Sequence, residues 1–310
     1  MLDEIAAGLR RTPKTLSSKF FYDEVGSRLF QQIMALPEYY PTRTEYGILE
    51  TCAAGLATAW AGPGPLHLLE LGAGDGLKTK LLLRALLAAG AELTYAPVDI
   101  SGSAVQQLRQ SLQAEMPGLR VAPIVAEYEA ALTGLRGQTG RKVVLFLGSN
   151  IGNFEPDARR QFLAALAAPL ASADALLIGF DLQKDPRRIR AAYDDAQGVT
   201  AAFNLNLLRR LNRELGADFD LAQWQHYAEY DPRGGAARSY LVSRRAQQVR
   251  LATLPDEVFE FAAWEALHTE NSYKFTRPQI EELAAAAGLR VAQFLTDEQG
   301  WFADVVLMRA

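Results

Sequence analysis

Three glycines at alternate positions, Gly72, Gly74 and Gly76, follow the apolar run Leu68-Leu69-Glu70-Leu71 and precede a helical pattern from Lys80 to Ala89. Strand, tight turn and helix in that order bring a backbone without side chains, and a helix N-terminus, up to a bound group. The spacing Gly72-x-Gly74-x-Gly76 differs from the dinucleotide fingerprint G-x-G-x-x-G. With Glu70 before the first glycine and Asp99 ending the next apolar run, it fits a nucleoside site that lacks a pyrophosphate. That describes S-adenosyl-L-methionine better than a nicotinamide dinucleotide, although a plain strand-to-helix turn would read the same way. Other polar residues fall where strands should end: Glu127, Asp181 and the segment Gly148-Ser149-Asn150-Ile151-Gly152-Asn153.

The elements that must carry these residues alternate. Strands are expected at 67–71, 93–98, 120–125, 142–147 and 174–180, with helices at 78–89, 102–115 and 157–170. This predicts an α/β protein with a parallel sheet covered on both faces, its ligands lying beyond the carboxyl ends of the strands. The segments 289–296 and 302–308 alternate like a closing antiparallel hairpin after a helix that starts at Arg277-Pro278. That close is usual for the Rossmann-like fold of S-adenosylmethionine-dependent methyltransferases. The catalytic sheet is therefore expected at 48–183 plus 275–310, with a second, α+β substrate-binding domain from 1–47 plus 184–274. In that domain a helix is expected at 27–36 and an extended loop at 37–43 between two prolines; a helix from Thr44 to Trp60 then leads into the catalytic sheet. A mostly helical stretch to about 228 and strands at 237–243 and 248–254 complete the second domain.

Composition narrows the classes. A net charge of −4 and a pI near 5.6 give no support to a nucleic-acid partner. The single cysteine, Cys52, excludes an internal disulfide. His67, His226 and His268 show no metal-ligand spacing, so no metal is expected. With no apolar run of membrane-spanning length and an acidic start, Met1-Leu2-Asp3-Glu4, the expectation is a cytoplasmic protein without a membrane partner. The absence of heptads or a swapped arm points to a monomer.

Several segments together resemble one family: Lys19-Phe20-Phe21-Tyr22-Asp23, Leu36-Pro37-Glu38-Tyr39-Tyr40-Pro41-Thr42-Arg43-Thr44-Glu45, Phe146 to Asn153, Ala192-Tyr193-Asp194-Asp195, Val199 to Asn204, and Thr269-Glu270-Asn271-Ser272-Tyr273-Lys274-Phe275. They are similar to the L-histidine Nα-methyltransferases of ergothioneine biosynthesis (the EgtD family), over nearly the whole chain. The resemblance implies trimethylation of the α-amino group of free L-histidine to hercynine, with three molecules of S-adenosyl-L-methionine consumed. It implies that Tyr22 and Tyr39 line the substrate site and that Asn153 and Tyr193 hold the α-groups. Glu270 and Ser272 would hold the imidazole, and Tyr22, Asn153 and Tyr193 would take the catalytic roles. For the cofactor it implies Gly72, Lys78, Asp99 and the pair Glu127-Tyr128. The chain departs from the family at Glu127, where aspartate is common, and at Tyr240, where a smaller apolar residue is usual. Read alone, the tyrosine pair is equally loop packing, Tyr193 core, Asn153 a cap for a helix near Pro156, and Glu270 a surface partner for Lys274.

The chemistry agrees with such a site. Methyl transfer needs a neutral amine approaching in line. Deprotonating an α-amine near neutral pH costs only about 1–3 kcal/mol, whereas positioning is worth roughly 7–11 kcal/mol. Orientation by Asn and Tyr should therefore matter more than a strong base. An imidazole needs an acceptor for one N–H and a polar partner for its other nitrogen. Glu270 and Ser272, two apart in an extended segment, would face one side. The competing readings are an N-methyltransferase for another free amino acid and a non-catalytic S-adenosylmethionine-binding module.

Overall fold

The computed structural model describes residues 1–135 and 139–310. Helix α1 (Leu2–Arg10) buries Ile5, Ala6 and Leu9. Helix α2 (Glu24–Met34) starts on Asp23, whose carboxylate accepts from the Gly26 N–H at 2.7 Å. Helix α3 runs from Tyr40 to Trp60, so the extended loop expected at 37–43 is already helical at Tyr40. The cause is Pro41. In the first turn its missing N–H costs nothing and its fixed φ suits the helix, so it starts the helix instead of delaying it.

Strand β1 (Pro65–Leu71) and helix α4 (Thr79–Ala88) flank the glycine turn. Then come β2 (Glu92–Asp99), α5 (Gly102–Glu115), the short β3 (Arg120–Val121) and β4 (Ile124–Val125), and α6 (Tyr128–Thr133). The strand expected at 120–125 is thus two short pieces that both pair with β2. Strand β5 (Arg141–Phe146), helix α7 (Pro156–Ala167) and strand β6 (Ala175–Asp181) follow. Next are α8 (Pro186–Ala191) and α9 (Val199–Leu215). Five strands then come in succession: β7 (Trp224–Asp231), β8 (Ala236–Ser243), β9 (Gln247–Leu251), β10 (Leu254–Phe261) and β11 (Ala266–Tyr273). Helix α10 (Arg277–Ala286), opened by a Thr276–Gln279 capping box, leads into β12 (Leu289–Thr296) and β13 (Phe302–Arg309).

The chain divides into two compact units, 41–183 with 273–310, and 1–40 with 184–272. The first holds the main sheet, in the order β12-β13-β6-β5-β1-β2-β3. Pairing is parallel from β6 to β3 and antiparallel at β13 and β12. Strand β6 is buried along its whole length, as a central strand covered on both faces must be. One face packs Leu69, Leu71, Phe146, Phe162 and Ile178. The other packs Leu49, Leu56, Trp60, Leu68, Leu83 and Tyr95. This is the Rossmann-like α/β arrangement, and all its parallel strands end on the edge that carries the glycine turn.

The second unit has its own core, in which Phe21, Ile33, Phe203, Leu207, Leu211, Trp224 and Phe261 meet. Helix α9 packs on α2, β7 and β8. The strands form a three-stranded sheet, β11-β8-β7, and a hairpin, β10-β9. Strands β7 and β10 were not expected, and β11, where an extended segment around Glu270 and Ser272 was considered, was not read as a strand of a sheet. On β11 the buried side of the alternation is Leu267, Thr269 and Asn271, too polar to read as a strand.

Candidate active site

The glycine turn is built by sterics. Gly72, Gly74 and Gly76 take φ of +73°, +54° and +66°, in the left-handed region that favours glycine. A Cβ on Gly76 would lie 2.5 Å from Leu108 Cδ1, and one on Gly72 would lie 3.0 Å from the Tyr128 hydroxyl. The N–H groups of Gly72 and Ala73 donate to the Val98 carbonyl at 2.8 and 3.1 Å, folding the turn onto the end of β2. There Asp99 accepts from the N–H of Gly74 (3.1 Å) and of Ser101 (2.9 Å), which fixes its carboxylate at the strand end.

Glu70 does not face a ligand. It is 3% exposed and accepts from the Thr79 hydroxyl at 2.5 Å and from the Tyr95 hydroxyl. Burial pushes its carboxyl up to about 7 against the pull of those bonds and of Lys78. It ties β1, β2 and α4 together under the turn.

Lys78 precedes α4, and its ammonium pairs with the carboxylate of Glu45 from α3. Burial opposes the charge on Lys78, but Glu45 outweighs it and the ammonium titrates above its ordinary value. Tyr128 opens α6, with its ring against Phe146 (5.3 Å) and Phe162 (5.8 Å). Burial pushes its hydroxyl up, so it is a neutral donor beside Gly72. Glu127, at the cap position of the same helix, is exposed. Asn153 closes a single 3-10 turn, Asn150–Asn153, after β5. It does not cap α7, whose cap residue is Glu155. Gly152 lies so close to the Tyr273 backbone that a Cβ would be 2.7 Å from the carbonyl oxygen. These donors and acceptors suit the cofactor: an ammonium for a carboxylate, a strand-end carboxylate for ribose hydroxyls, and glycines for close approach.

The other unit gathers aromatic and polar groups. Tyr22 follows a 3-10 turn, Ser18–Phe21, and packs edge-on to Phe30 (5.7 Å) and Phe203 (5.8 Å). The next residue, Asp23, accepts from Asn206 (2.9 Å) and pairs with Arg213 (2.7 Å) on α9. Burial opposes its charge, but Arg213, Gly26 and Asn206 hold the carboxyl below its usual range. Tyr39 meets Phe30 (6.1 Å) and Tyr193 (6.4 Å), both edge-on. Tyr193, 8% exposed, donates its hydroxyl to Ser272 Oγ at 2.6 Å. His226 Nε2 lies 2.9 Å from the Tyr193 carbonyl. Burial holds this histidine neutral, so that nitrogen carries the proton and donates.

On β11 the alternation sets His268, Glu270 and Ser272 on one face. Thr269, on the opposite face, is held by Asn204 and the Ser239 carbonyl, each at 2.9 Å. The structure therefore brings Tyr22, Tyr39, Tyr193 and Ser272 into one aromatic-polar cluster, with Glu270 on the same strand face as Ser272. Lys274 is not a surface lysine; it is buried and pairs with Asp181 at 2.8 Å, both side chains fully buried. Tyr240 donates to Glu229 (2.9 Å) and packs against His268 (5.4 Å). Burial, then Glu229, pushes its hydroxyl up to about 12. Asp195 is structural: it accepts from the N–H of Val199 (3.0 Å) and Thr200 (2.7 Å) at the start of α9. No group of metal-ligating residues occurs among the described residues, and no helix among them is long and apolar enough to cross a membrane.

Two contributors escaped the sequence reading. Phe30 links Tyr22 to Tyr39 but looked like an ordinary core position of α2. Glu45 stands in one of the segments that carry the resemblance but received no role, although it lies three, four and seven residues before Ile48, Leu49 and Cys52, on their apolar stripe.

The family described as "Histidine-specific methyltransferase, SAM-dependent" matches residues 1–309. A protein of Mycolicibacterium smegmatis named histidine N-alpha-methyltransferase is 44% identical over 299 residues, 96% of this chain and 92% of that one. One of the same name from Mycobacterium tuberculosis is 42% identical over 300 residues, with the same coverage. Ergothioneine biosynthesis protein 1 of Schizosaccharomyces pombe is 32% identical over 276 residues, 86% of this chain and 35% of that one. Glycine turn, aromatic-polar cluster and whole-length match agree: the chain belongs to the S-adenosylmethionine-dependent, histidine-specific methyltransferase family.

Proposed function

We propose that this chain methylates the α-amino group of free L-histidine three times, giving hercynine for ergothioneine synthesis. The family match and the two relatives named for that activity support the reaction. The observation that carries the substrate is the Tyr193–Ser272 hydrogen bond beside Tyr39, with Glu270 on the face of Ser272. A carboxylate and a hydroxyl on one strand face give an imidazole its acceptor and its polar partner.

Bound S-adenosyl-L-methionine supplies an electrophilic methyl group on a sulfonium. Gly72, Lys78, Asp99 and Glu127-Tyr128 are the residues we assign to holding it, Lys78 toward the carboxylate and Asp99 toward the ribose. Asn153 and Tyr193 are assigned to the amino acid's α-groups, and Tyr22 to guiding or accepting the amine proton. With deprotonation costing about 1–3 kcal/mol near neutral pH and orientation worth roughly 7–11 kcal/mol, these residues act chiefly by fixing the amine's lone pair in line. Rigidity supports this: Tyr193 is held at its hydroxyl by Ser272 and at its carbonyl by His226.

The test is direct. The protein is incubated with S-adenosylmethionine and each free amino acid, and mass is followed in methyl steps. Growth confined to histidine and ending at three methyl groups is the expected result. Methylation of another amino acid in preference to histidine overturns the substrate. Saturable cofactor binding with no turnover on any amino acid overturns the enzyme reading.

A further inference from the structure

We infer that Glu45 is a positioning residue for the cofactor: it holds the Lys78 ammonium at the glycine turn, where it meets the cofactor's α-carboxylate. This rests on the assignment of Lys78 to that carboxylate.

The seat of Glu45 is built for this side chain. Glu45 is fully buried. Both its carboxylate oxygens accept from the Gly148 N–H, at 2.8 and 3.0 Å, and one also takes the Lys78 ammonium. On its other side β6 is hollowed at Gly179, where a Cβ would lie 2.2 Å from Glu45 Oε1. At Gly148, φ is +77° and an added Cβ would lie 3.5 Å from Lys78 Nζ. Gly179 therefore leaves the room that the Glu45 carboxylate fills, and Gly148 supplies the N–H that it accepts from. The Glu45–Lys78 pair joins α3, the residue before α4 and the loop after β5. Lys78 keeps 18% of its side chain exposed, whereas Glu45 keeps none. The lysine of the pair is thus the member that keeps contact with the surface.

The charges nearby make the arrangement one-to-one. Asp304 on β13 is fully buried, and its carboxylate oxygens find no hydrogen-bond donor among the described residues. Burial, and then the charge of Glu45, pushes Asp304 well up and keeps it neutral, with Lys78 pulling the other way. Glu70 is the remaining acid acting on Lys78. Burial keeps Cys52 a thiol. Glu45 is the charge that keeps Lys78 an ammonium. A buried lysine without such a partner loses its proton several units early.

The test measures binding of S-adenosylhomocysteine, which carries the same α-carboxylate, by calorimetry between pH 6.5 and 8.5. Wild type is expected to vary less than threefold. Glu45→Gln keeps an acceptor for Gly148 but removes the charge, so its affinity is expected to fall about tenfold as pH rises across that range. Glu45→Asp is expected to restore the flat profile. In the Lys78→Met background, adding Glu45→Gln is expected to cost less than twofold more. Additive losses, or a flat Glu45→Gln profile at wild-type affinity, overturn the inference. Wild-type affinity falling steeply below pH 8.5 does the same, without requiring any variant to fold. If Lys78→Met itself binds like wild type, the assignment of Lys78 fails instead.

Discussion

At the scale of single residues, two units of chemistry can be separated by their readouts. Glu270→Ala removes the acceptor assigned to the imidazole, and the histidine KM is expected to rise at least tenfold. Affinity for S-adenosylhomocysteine should stay within about twofold; equal losses in both would indicate misfolding. Tyr22→Phe keeps the ring that packs on Phe30 and Phe203 and removes only the hydroxyl. The rate of the first methylation is expected to fall at least tenfold with the histidine KM little changed, and an unchanged rate would remove Tyr22 from the proton's path. Glu70 gives a stability prediction with a definite sign. Its carboxyl is raised from 4.5 to about 7 in the fold, so the folded state binds the extra proton between those values. Stability therefore falls as pH rises through that window, by up to about 3 kcal/mol. Glu70→Gln should flatten this part of the curve in denaturant melts at pH 5, 6 and 8.

Elements explain why some of the site could be read and some could not. The glycine turn was legible because left-handed backbone selects glycine, and that leaves a mark in the sequence. The Tyr39-Tyr40-Pro41 segment was misread because proline stops a helix in its interior but starts one in its first turn. Strand β11 was hard to read because its buried positions Thr269 and Asn271 are polar, and the partners of Thr269, Asn204 and the Ser239 carbonyl, lie elsewhere in the chain. Glu45 stood in a segment that carries the resemblance, but its role could not be read there because its partner, Lys78, is 33 residues away. The turn around Tyr22 is held by Asp23 at the start of α2. Asp23→Ala removes that cap and the contacts to Asn206 and Arg213, and is expected to cost about 1–2 kcal/mol. Because the folded carboxyl of Asp23 lies below its unfolded value, its contribution is present above pH 4 and is lost as pH falls through the folded value. The variant's deficit should therefore shrink in acid. Gly26 is equally constrained, since a Cβ there would lie 1.8 Å from the Phe21 carbonyl oxygen.

Over the whole molecule, the candidate residues divide by unit. Gly72, Lys78, Asp99, Glu127, Tyr128 and Asn153 belong to the unit with the main sheet; Tyr22, Tyr39, Tyr193, Glu270 and Ser272 belong to the other. Each unit has its own buried core, so each can answer its own ligand. Hydrogen exchange is expected to slow at 72–78 and 99–101 when S-adenosylhomocysteine is added, and at 22–39 and 268–272 only when histidine is added as well. Protection by histidine confined to the main-sheet unit would overturn the assignment.

The Asp181–Lys274 pair has a consequence for how such a chain can change over generations. With both side chains fully buried, losing either one alone breaks a buried ion pair, at a cost of about 3–5 kcal/mol. Replacing both together with apolar residues of similar volume can be nearly neutral. Position 274 can therefore move most easily in step with 181, whereas 270 and 272, four and two places earlier, are not tied to that ion pair. Substrate preference along this strand can drift by single steps, while its end remains a fixed point that a double step passes most easily.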